Sequence, residues 1–331
     1  MRALLARFPR LLETLPQAPL QLRESPVETW QVGGVTLLIK RDDLDSEHLG
    51  GNKARALELL LARAHPAHTL LTVGASGSTH ALSVAAHGAT LGVRTEVITW
   101  PQETHAVATA TASRMRELAA VTADRSVLRA YLRAAWRRMT RSVQWIPAGG
   151  SVPLGALGHV DAVLELADQL TRAGQPMPDT IVLPLGSGGT TAGLLVGLAL
   201  VGAPTRVVGV RVVPRIVANR GHVLRLARRT RSLLAGLTGE RLPPLDASLL
   251  HIEHAAFGGA YGRETDAARR SATLLRRAGG PLLEGTYSAK AFAAALDYAR
   301  HSPDDRVLFW LTFDGRWLAT STDQTASPPA R

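Results

Sequence analysis

Short runs of apolar residues alternate with longer amphipathic segments along most of the chain. The clearest apolar runs are TLLTVG, TIVLPLG and RVVGVRVV, in which apolar residues are continuous rather than alternating. Such runs are typical of parallel strands that are covered on both faces. The amphipathic segments between them predict helices and complete a strand–helix alternation. The pattern therefore predicts an α/β protein with two open parallel-sheet domains and an active site between them.

Individual elements follow from the same pattern and from the turn residues. A short hairpin is predicted over Trp30–Lys40, with Gly33 and Gly34 as its turn. Asn52 is predicted to cap a helix that begins at Lys53. Further elements are predicted as helices over residues 159–173, 215–245, 263–278 and 288–300, a last strand over 306–313, and a disordered tail over 321–331.

The composition excludes several classes of protein. The 331 residues are 46% hydrophobic and 20% charged, which excludes a disordered chain and allows a substantial core. No apolar run approaches the roughly 20 residues that a membrane-spanning helix needs, and the segment after Met1 has no signal-peptide core. The absence of cysteine excludes disulfides, thiolate metal sites and a cysteine nucleophile. We therefore expect a soluble, cytoplasmic protein without a metal site.

Arginine carries almost all of the positive charge. The formal net charge is +11, and three lysines occur against 35 arginines. Five arginines recur every four residues and would form one stripe on a helix: Arg125, Arg129, Arg133, Arg137 and Arg141. The stripe is either a solvated helix face or a surface for an anionic partner. Nucleic acid is not favoured as that partner, because no recognised nucleic-acid-binding motif is present.

A glycine-rich turn, GSGGTTAG, spans Gly186–Gly193 between a predicted strand and a predicted helix. Glycines let backbone N–H groups turn inward, and a helix N-terminus adds partial positive charge, so a phosphate suits this turn. It does not match the dinucleotide fingerprint. Thr191 replaces the third glycine of that fingerprint, and Arg206 and Arg211 stand where an acidic ribose ligand is expected. The turn is either a phosphate cradle or a purely structural turn.

Lys53 follows two glycines and Asn52 at the predicted start of a helix. A cation is unfavourable beside the positive end of the helix dipole. The same position lowers the pKa of an ammonium group and favours the neutral amine that Schiff-base chemistry requires. The rarity of lysine supports a functional role but applies equally to Lys40 and Lys290. An ordinary surface lysine is the alternative.

The segment Ser76–His80 (SGSTH) lies at another strand-to-helix junction. Hydroxyl groups and free N–H groups at a helix start bind a carboxylate well. An ordinary helix N-cap is the alternative. No aspartate is placed to complete a serine triad with His80.

Three stretches closely resemble the aminocyclopropanecarboxylate deaminase / D-cysteine desulfhydrase family of pyridoxal-phosphate enzymes: GGNKARALELL, GASGSTHALSVAAHGATLG and IVLPLGSGGTTAGLLVGL. The segments IPAGGSVPLGALGHVDAVLEL and LLEGTYSAKAFAAAL also look like blocks of that family. The resemblance implies the tryptophan-synthase-β-like fold, called fold type II, with pyridoxal 5'-phosphate as cofactor. It also implies a small amino-acid substrate and a homodimer. The implied division is a larger cofactor domain, 1–50 plus 152–331, and a smaller α/β domain, 51–151.

The resemblance assigns cofactor contacts position by position. Lys53 matches the lysine that holds the cofactor as a Schiff base, and Asn52 matches a cofactor-contacting residue. Thr312 lies near the position at which a hydroxyl can face the pyridine nitrogen. The phosphate cradle is matched by Ser187, Gly188, Gly189 and Thr190.

The resemblance also assigns residues that act on the substrate. Ser78 matches the active-site serine, and Thr79 and His80 lie beside it in the loop that receives the substrate carboxylate. Tyr261 and Tyr287 match the active-site tyrosines, which would serve the leaving group or a proton transfer.

The chain departs from the family pattern at two places, and a third position bears on the reaction. The usual Gln-Ser-Asn-His reads Gly-Ser-Thr-His at 77–80, and Phe313-Asp314 replaces a glycine pair. After Tyr287 the deaminases carry Glu and the desulfhydrases Thr, and Ser288 resembles the latter. A hydroxyl at the pyridine nitrogen gives a weaker electron sink than a carboxylate, and opening a cyclopropane ring at an unactivated carbon resembles the case that needs the stronger sink. We therefore predict β-elimination from a D-amino acid rather than cyclopropane ring opening, with Asp314 as the acid that would reverse this preference.

The sequence leaves two other functions open. One is a nucleotide-dependent reductase that uses the glycine-rich turn of Gly186–Gly193. The other is a family member that binds its cofactor or a ligand without catalysing a reaction.

Overall fold

The computed structural model describes residues 1–103 and 105–318. Its strands are β1 (Val27–Val32), β2 (Val35–Arg41), β3 (Thr69–Ala75), β4 (Thr95–Trp100), β5 (Ala120–Ala123), β6 (Val143–Ile146), β7 (Thr180–Leu185), β8 (Arg206–Arg211), β9 (Leu250–Glu253) and β10 (Val307–Leu311). Its helices are α1 (Arg2–Arg7), α2 (Leu11–Thr14), α3 (Asn52–Leu60), α4 (Thr79–Thr90), α5 (Ala106–Leu118), α6 (Val127–Thr140), α7 (Pro153–Arg172), α8 (Gly189–Val201), α9 (Arg220–Thr238), α10 (Asp266–Arg277) and α11 (Ser288–His301).

The described strands form two sheets that are built mainly from parallel pairs. The larger sheet has the order β1-β2-β10-β7-β8-β9, in which β1 and β2 pair antiparallel. The smaller sheet has the order β5-β4-β3-β6 with parallel pairs. The predicted α/β class is confirmed, and so is the hairpin, whose turn residues Gly33 and Gly34 have left-handed φ values of 60° and 82°.

Helices cover both faces of the larger sheet. Every residue of β7 is buried. Ile181 and Leu183 pack on one face with residues of α1, α7, α8 and α9. Val182 packs on the other face with residues of α10 and α11. Burial on both faces explains why β7 is a continuous apolar run in the sequence.

The smaller sheet is covered by α4 and α5 on one face and by α6 on the other. Val97 packs with Leu82 of α4 and Met115 of α5, whereas Ile98 packs with Ala130 of α6. The carboxyl ends of strands from both sheets meet at one cavity, as expected for open α/β sheets. The domain boundaries given above remain a prediction.

A buried ionic cluster joins the start of α3 to the larger sheet. Arg55 of α3 pairs with Asp42 at 2.8 Å and with Glu165 of α7 at 2.9 Å. Lys40 of β2 donates to Glu165 at 2.6 Å and to the Gln169 side chain at 2.7 Å. Burial alone would raise the pKa of Glu165, but Arg55 and Lys40 lower it to about 2. Lys40 is therefore a structural lysine with charged and polar partners.

The ends of two arginine-rich helices are set by caps that the periodicity did not identify. The structure places α9 and α10 inside the predicted 215–245 and 263–278. Asn219 and Thr265 cap their N-termini through side-chain oxygens, and Gly239, with a left-handed φ of 74°, ends α9. The predicted disorder of 321–331 lies outside the described residues. Among the described helices, none is long and apolar enough to cross a bilayer.

The predicted arginine stripe lies on α6 and its ends. Arg133 pairs with Asp124 at 2.6 Å. Arg137 and Arg141 each lie 3.1 Å from a carboxylate oxygen of Glu96. Because these arginines already have partners within the chain, the structure favours the solvated-face interpretation of the stripe.

Candidate active site

A cavity of about 480 Å³ lies where the carboxyl ends of strands from both sheets meet. Every site residue predicted from the sequence lines it: Asn52, Lys53, Ser78, Thr79, His80, Ser187, Gly188, Gly189, Thr190, Tyr261, Tyr287 and Thr312. The fold thus brings widely separated segments together at one place. The role of each residue remains a prediction.

The loop before α3 packs tightly against the end of β10. Gly51 has a φ of 104°, and a Cβ at this position would lie 2.7 Å from the carbonyl oxygen of Thr312. The Gly51 N–H donates to the Asp42 carbonyl at 2.7 Å, and the Asn52 N–H donates to the Thr312 carbonyl at 3.1 Å. The predicted N-cap is therefore wrong: Gly51 is the N-cap of α3, and Asn52 is already helical. The Asn52 side chain is consequently available for the cavity.

Lys53 lies in the first turn of α3 and lines the cavity. Burial lowers the pKa of Lys53 to about 8, and no carboxylate within the described residues pairs with it. Part of the population therefore carries a neutral amine near neutral pH, as attack on a carbonyl requires. Lys290 is also buried, but its amine donates to the Phe257 carbonyl at 2.9 Å. The structure thus separates Lys53 from Lys40 and Lys290, with which it shares only its rarity in the sequence.

A chain of side chains links α3 to the glycine-rich turn. The Asn52 amide donates to Thr190 Oγ1 at 2.6 Å, and His159 Nε2 lies 3.4 Å from the same oxygen. Burial, and then the nearby charge of Lys53, lowers the pKa of His159 and lowers that of His80 to about 3. Both imidazoles are therefore neutral beside Lys53. His159 has no motif signal of its own and is identified only by the structure.

The glycine-rich turn has the features of an anion site. Gly188 is the left-handed N-cap of α8, with a φ of 86°, and the first amides of a helix have no partner within it. The Ser151 hydroxyl stabilises the turn. It donates to Ser187 Oγ at 2.6 Å and accepts from the Gly189 N–H at 3.1 Å. Thr191 Oγ1 is buried without a hydrogen-bond partner in the described part of the chain. An orphaned hydroxyl at a helix N-terminus fits a phosphate better than a purely structural turn.

Ser78 is both a helix cap and a residue of the cavity wall. It is the N-cap of α4, and its Oγ accepts from the Ala81 N–H at 3.2 Å. A Cβ at Gly74 would lie 2.7 Å from the Ser78 Cβ, so the end of β3 approaches the cap closely. Ser78 and Thr79 also line the cavity, where the first amides of α4 can receive a carboxylate.

Two tyrosines form a hydrogen-bonded pair at the cavity. The Tyr261 and Tyr287 hydroxyl oxygens lie 2.7 Å apart, and the rings meet edge to face with centroids 6.1 Å apart. Burial raises the pKa of Tyr261 to about 12 and raises that of Tyr287 well above its ordinary value. Both phenols are therefore protonated near neutral pH and can act as proton donors.

Glu284 fixes the backbone around Tyr287. Its carboxylate accepts from the N–H groups of Thr286, Tyr287 and Ser288 at 2.7, 2.8 and 2.6 Å. Burial raises the pKa of Glu284, and these hydrogen bonds oppose the rise. Sequence reasoning missed this residue, because a glutamate before a helix start does not match the spacing of a capping box.

Ser288 lies outside the cavity wall, and its predicted significance stays a prediction. Ser288 is fully buried as the first residue of α11 and is not among the described residues that line the cavity, whereas Thr312 is. Thr312 is therefore the hydroxyl that we expect to face the pyridine nitrogen.

Asp314 lines the cavity, but its carboxylate is already engaged. Asp314 Oδ2 accepts from the Gly50 N–H at 2.9 Å and from Arg316 at 2.7 Å, and Oδ1 accepts from Arg316 Nε at 2.8 Å. Its hydrogen-bonding capacity serves the loop before α3. This arrangement favours Thr312 over Asp314 as the group that would face a pyridine nitrogen.

Comparison with known proteins places the chain in a family. The family model described as pyridoxal-phosphate dependent enzyme matches residues 14–312. Nocardicin C-9' epimerase of Nocardia uniformis subsp. tsuyamanensis is 36% identical over 314 residues, which cover 90% of this chain and 92% of that protein. D-cysteine desulfhydrase of Salmonella paratyphi A is 32% identical over 320 residues, which cover 92% of this chain and 94% of that protein.

A solved structure, described as an ACC deaminase homologue, has a TM-score of 0.78 and 27% identity, and 98% of each chain is covered. These likenesses confirm the resemblance to the deaminase and desulfhydrase family and the type II fold. They also confirm pyridoxal phosphate as the cofactor. The alternative of a nucleotide-dependent reductase is therefore not supported. Lys53, the glycine-rich turn and Thr312 offer an amine, an anion site and a hydroxyl that fit this cofactor. The chain belongs to the pyridoxal-phosphate-dependent enzyme family.

Proposed function

We propose that this protein removes the α-proton of an amino acid, expels a leaving group from its β-carbon, and so releases a 2-oxo acid and ammonia. The observation that carries the proposal is the composition of the cavity. It contains a desolvated amine at Lys53 and a protonated phenol pair at Tyr261 and Tyr287. These are the base and the acid that such an elimination needs.

Bound pyridoxal phosphate would supply an electron sink for the pair left on the α-carbon when the proton departs. Lys53 would hold the cofactor. The amides of the glycine-rich turn and the Thr191 hydroxyl would bind its phosphate, and Asn52 and Thr312 would contact the ring.

Lys53 would act as the base once the substrate has taken its place on the cofactor. Burial lowers the pKa of its amine to about 8, so the neutral form is accessible near neutral pH. His80 and His159 are neutral beside it and do not compete as cations. A base whose pKa lies near the working pH transfers protons most effectively.

The start of α4 would orient the substrate. The Ser78 cap and the Thr79 hydroxyl line the cavity at a helix N-terminus, which favours a carboxylate. Holding the carboxylate there fixes the direction of the α-hydrogen relative to Lys53. This orientation decides which enantiomer reacts.

The tyrosine pair would protonate the leaving group. Tyr261 and Tyr287 share a hydrogen bond of 2.7 Å, so one phenol can donate outward while the other stabilises the charge that develops. With D-cysteine the C–S bond breaks, the thiolate takes a proton, and pyruvate and ammonia form after water adds. Because Thr312 offers a hydroxyl and Asp314 is bound by Arg316, we favour this elimination over cyclopropane ring opening.

Epimerisation of an amino-bearing carbon is the second candidate. It is favoured by the 36% identity to a protein named as an epimerase. It needs the same base and acid, with the proton returned to the opposite face of the α-carbon instead of to a leaving group. The substrate decides between the two outcomes, since an amino acid without a β-leaving group can only be reprotonated.

The test incubates the holoenzyme in deuterated water with D- and L-cysteine, β-chloro-D-alanine, D- and L-alanine, and aminocyclopropanecarboxylate. We expect pyruvate from D-cysteine or β-chloro-D-alanine at a higher rate than 2-oxobutanoate from the cyclopropane. Deuterium exchange with inversion of alanine, and no 2-oxo acid from any substrate, would establish epimerisation instead. With D- and L-phenylalanine in the same panel, absence of both 2-oxo acid formation and α-deuterium exchange in every substrate that carries an α-hydrogen would refute both candidates.

A further inference from the structure

The opening of the cavity has apolar walls, which we call the vestibule. Its residues are Trp100, Val127, Tyr131, Val213, Pro214 and Val217. Val127, Tyr131 and Val217 are 48%, 41% and 43% exposed although they line the cavity, so they mark its contact with solvent. Exposed apolar side chains that are grouped around a cavity mark a ligand site more often than scattered ones do.

An aromatic pair forms one wall of the vestibule. Trp100 ends β4, and Tyr131 lies on α6. Their ring centroids are 6.1 Å apart and their planes differ by 26°, an offset stack. Val127 stands one helical turn before Tyr131 on the same side of α6. The opposite wall comes from the segment after β8, which contributes Val213, Pro214 and Val217.

The vestibule offers no charge to a substrate. Apart from the tyrosines, the ionisable side chains among the described lining residues are Lys53, His80 and Asp314. His80 is neutral, and the Asp314 carboxylate is bound by Arg316. A charged substrate side chain in the vestibule would lose water without gaining a partner. An apolar ring would instead bury apolar surface and extend the aromatic stack.

We propose that the vestibule binds the side chain of the substrate and selects a bulky apolar group, an aryl group above all. The proposal rests on the proposed function, because the amino and carboxylate groups would lie at Lys53 and Ser78 while the side chain extends toward Trp100 and Tyr131. The substrate is then larger than the small amino acid that the family resemblance implies.

Helix α6 also provides matched controls. Leu132 and Trp136 lie on the same helix and are 61% and 51% exposed, but they are not among the described residues that line the cavity. They point about 100° or more away from Val127 and Tyr131 around the helix. Removing them changes exposed apolar surface on α6 without changing the vestibule.

The experiment measures binding to the holoenzyme with two ligands that lack an α-hydrogen, α-methyl-D-phenylalanine and 2-aminoisobutyrate. Both carry the same amino and carboxylate groups, and one carries a benzyl group. Affinity is read from the visible band of the cofactor and, independently, from titration calorimetry. We expect the benzyl ligand to bind about tenfold more tightly and with a more negative heat-capacity change.

The variants Trp100→Ala and Tyr131→Ala should each remove most of this preference and leave the affinity for 2-aminoisobutyrate unchanged. Leu132→Ala and Trp136→Ala should keep the preference. Equal affinities for the two ligands in the unchanged protein would overturn the vestibule proposal while the proposed function stands. Failure of both ligands to bind by either readout would overturn the proposed function as well.

A second copy of this chain could cover the same apolar surface, and sedimentation measurements decide between the two occupants. The proposal expects Tyr131→Ala to alter ligand preference without altering the oligomeric state. A variant that changes the oligomeric state and weakens both ligands equally would assign the surface to a subunit interface and overturn the proposal.

Discussion

Lys40 and Lys53 lie in neighbouring regions with different surroundings: Lys40 is fully buried, and Lys53 is half-buried beside the cavity. Lys40 donates to Glu165, to Gln169 and to the carbonyl of Ser25, at distances of 2.6 to 2.7 Å. Lys53 lines a cavity and has no carboxylate partner among the described residues. Burial lowers the pKa of both amines, but Glu165 opposes the fall only at Lys40. A buried amine with charged and polar partners stabilises the fold, whereas an amine beside a cavity without a carboxylate partner is available to react.

The largest effect is expected when the unpartnered lysine is removed. Lys53→Ala should abolish the visible band of the bound cofactor and lower turnover by about 1,000-fold or more, because only a primary amine can hold the aldehyde. The free energy of unfolding of the cofactor-free protein should not fall. Absorbance, turnover and urea denaturation check these outcomes. A reducible cofactor adduct at Lys40 or Lys290 in this variant would contradict the assignment.

Removing the partnered lysine should instead destabilise the protein. Lys40→Met leaves the carboxylate of Glu165 with one cationic partner fewer in a buried site, which costs about 3–5 kcal/mol of the free energy of unfolding. The matched control is Lys290→Met, whose amine has a carbonyl partner and no paired carboxylate, and which should cost about 1–2 kcal/mol. Urea denaturation of the cofactor-free proteins measures both. Equal losses would show that the ion pair at Lys40 is not what distinguishes the two regions.

Contiguous motifs made the centre of the site predictable. Lys53 and the turn at Gly188 each lie within one short segment between a strand and a helix, where local chemistry and chain order fix the position together. Ser151 and His159 come from other segments and contact Ser187 and Thr190 through hydrogen bonds. Such partners are defined by tertiary packing, so the local pattern contains no spacing that reveals them.

Neighbouring positions in the sequence do not always share an environment in the fold. Ser288 follows Tyr287, but among the described residues Tyr287 lines the cavity and Ser288 does not. Asn52 was expected to cap α3 because of its residue type. The left-handed φ of Gly51 begins the helix one residue earlier, and the Asn52 amide bonds to Thr190 instead. The parallel strands and both sheets were predictable because continuous apolar runs report burial on two faces.

The glycine-rich turn gives a test of the cofactor side of the cavity. Gly188→Asp and Gly189→Asp should each raise the dissociation constant of pyridoxal phosphate by about 100-fold, since each adds an anion where a phosphate would meet helix amides. A Cβ at Gly189 would also lie 2.7 Å from Ser151 Oγ.

The control for these variants is Gly202→Asp at the other end of α8. Gly202 also has a left-handed φ, of 69°, and apart from its neighbours in the chain no atom of the described residues lies within 4 Å of a Cβ placed there. This variant should therefore bind the cofactor as the unchanged protein does. Equilibrium dialysis measures all three dissociation constants. If the variants at Gly188 and Gly189 bind as tightly as the control, the phosphate lies elsewhere.

The smallest effect is expected in the pH dependence of cofactor capture by the cofactor-free protein. The neutral amine of Lys53 is the attacking form, and burial lowers its pKa to about 8. The capture rate should therefore rise with pH below about 8 and level off above it. Between about pH 7 and pH 9 the rise should be roughly tenfold, whereas an unperturbed lysine with a pKa of about 10.4 would give roughly 100-fold. A lysine peptide with a free side chain, measured in parallel, provides the unperturbed reference and cancels the titration of the cofactor itself. A profile that matches the peptide would show that Lys53 is solvated like an ordinary surface amine, and the contrast between Lys53 and Lys40 would then rest on hydrogen-bond partners alone.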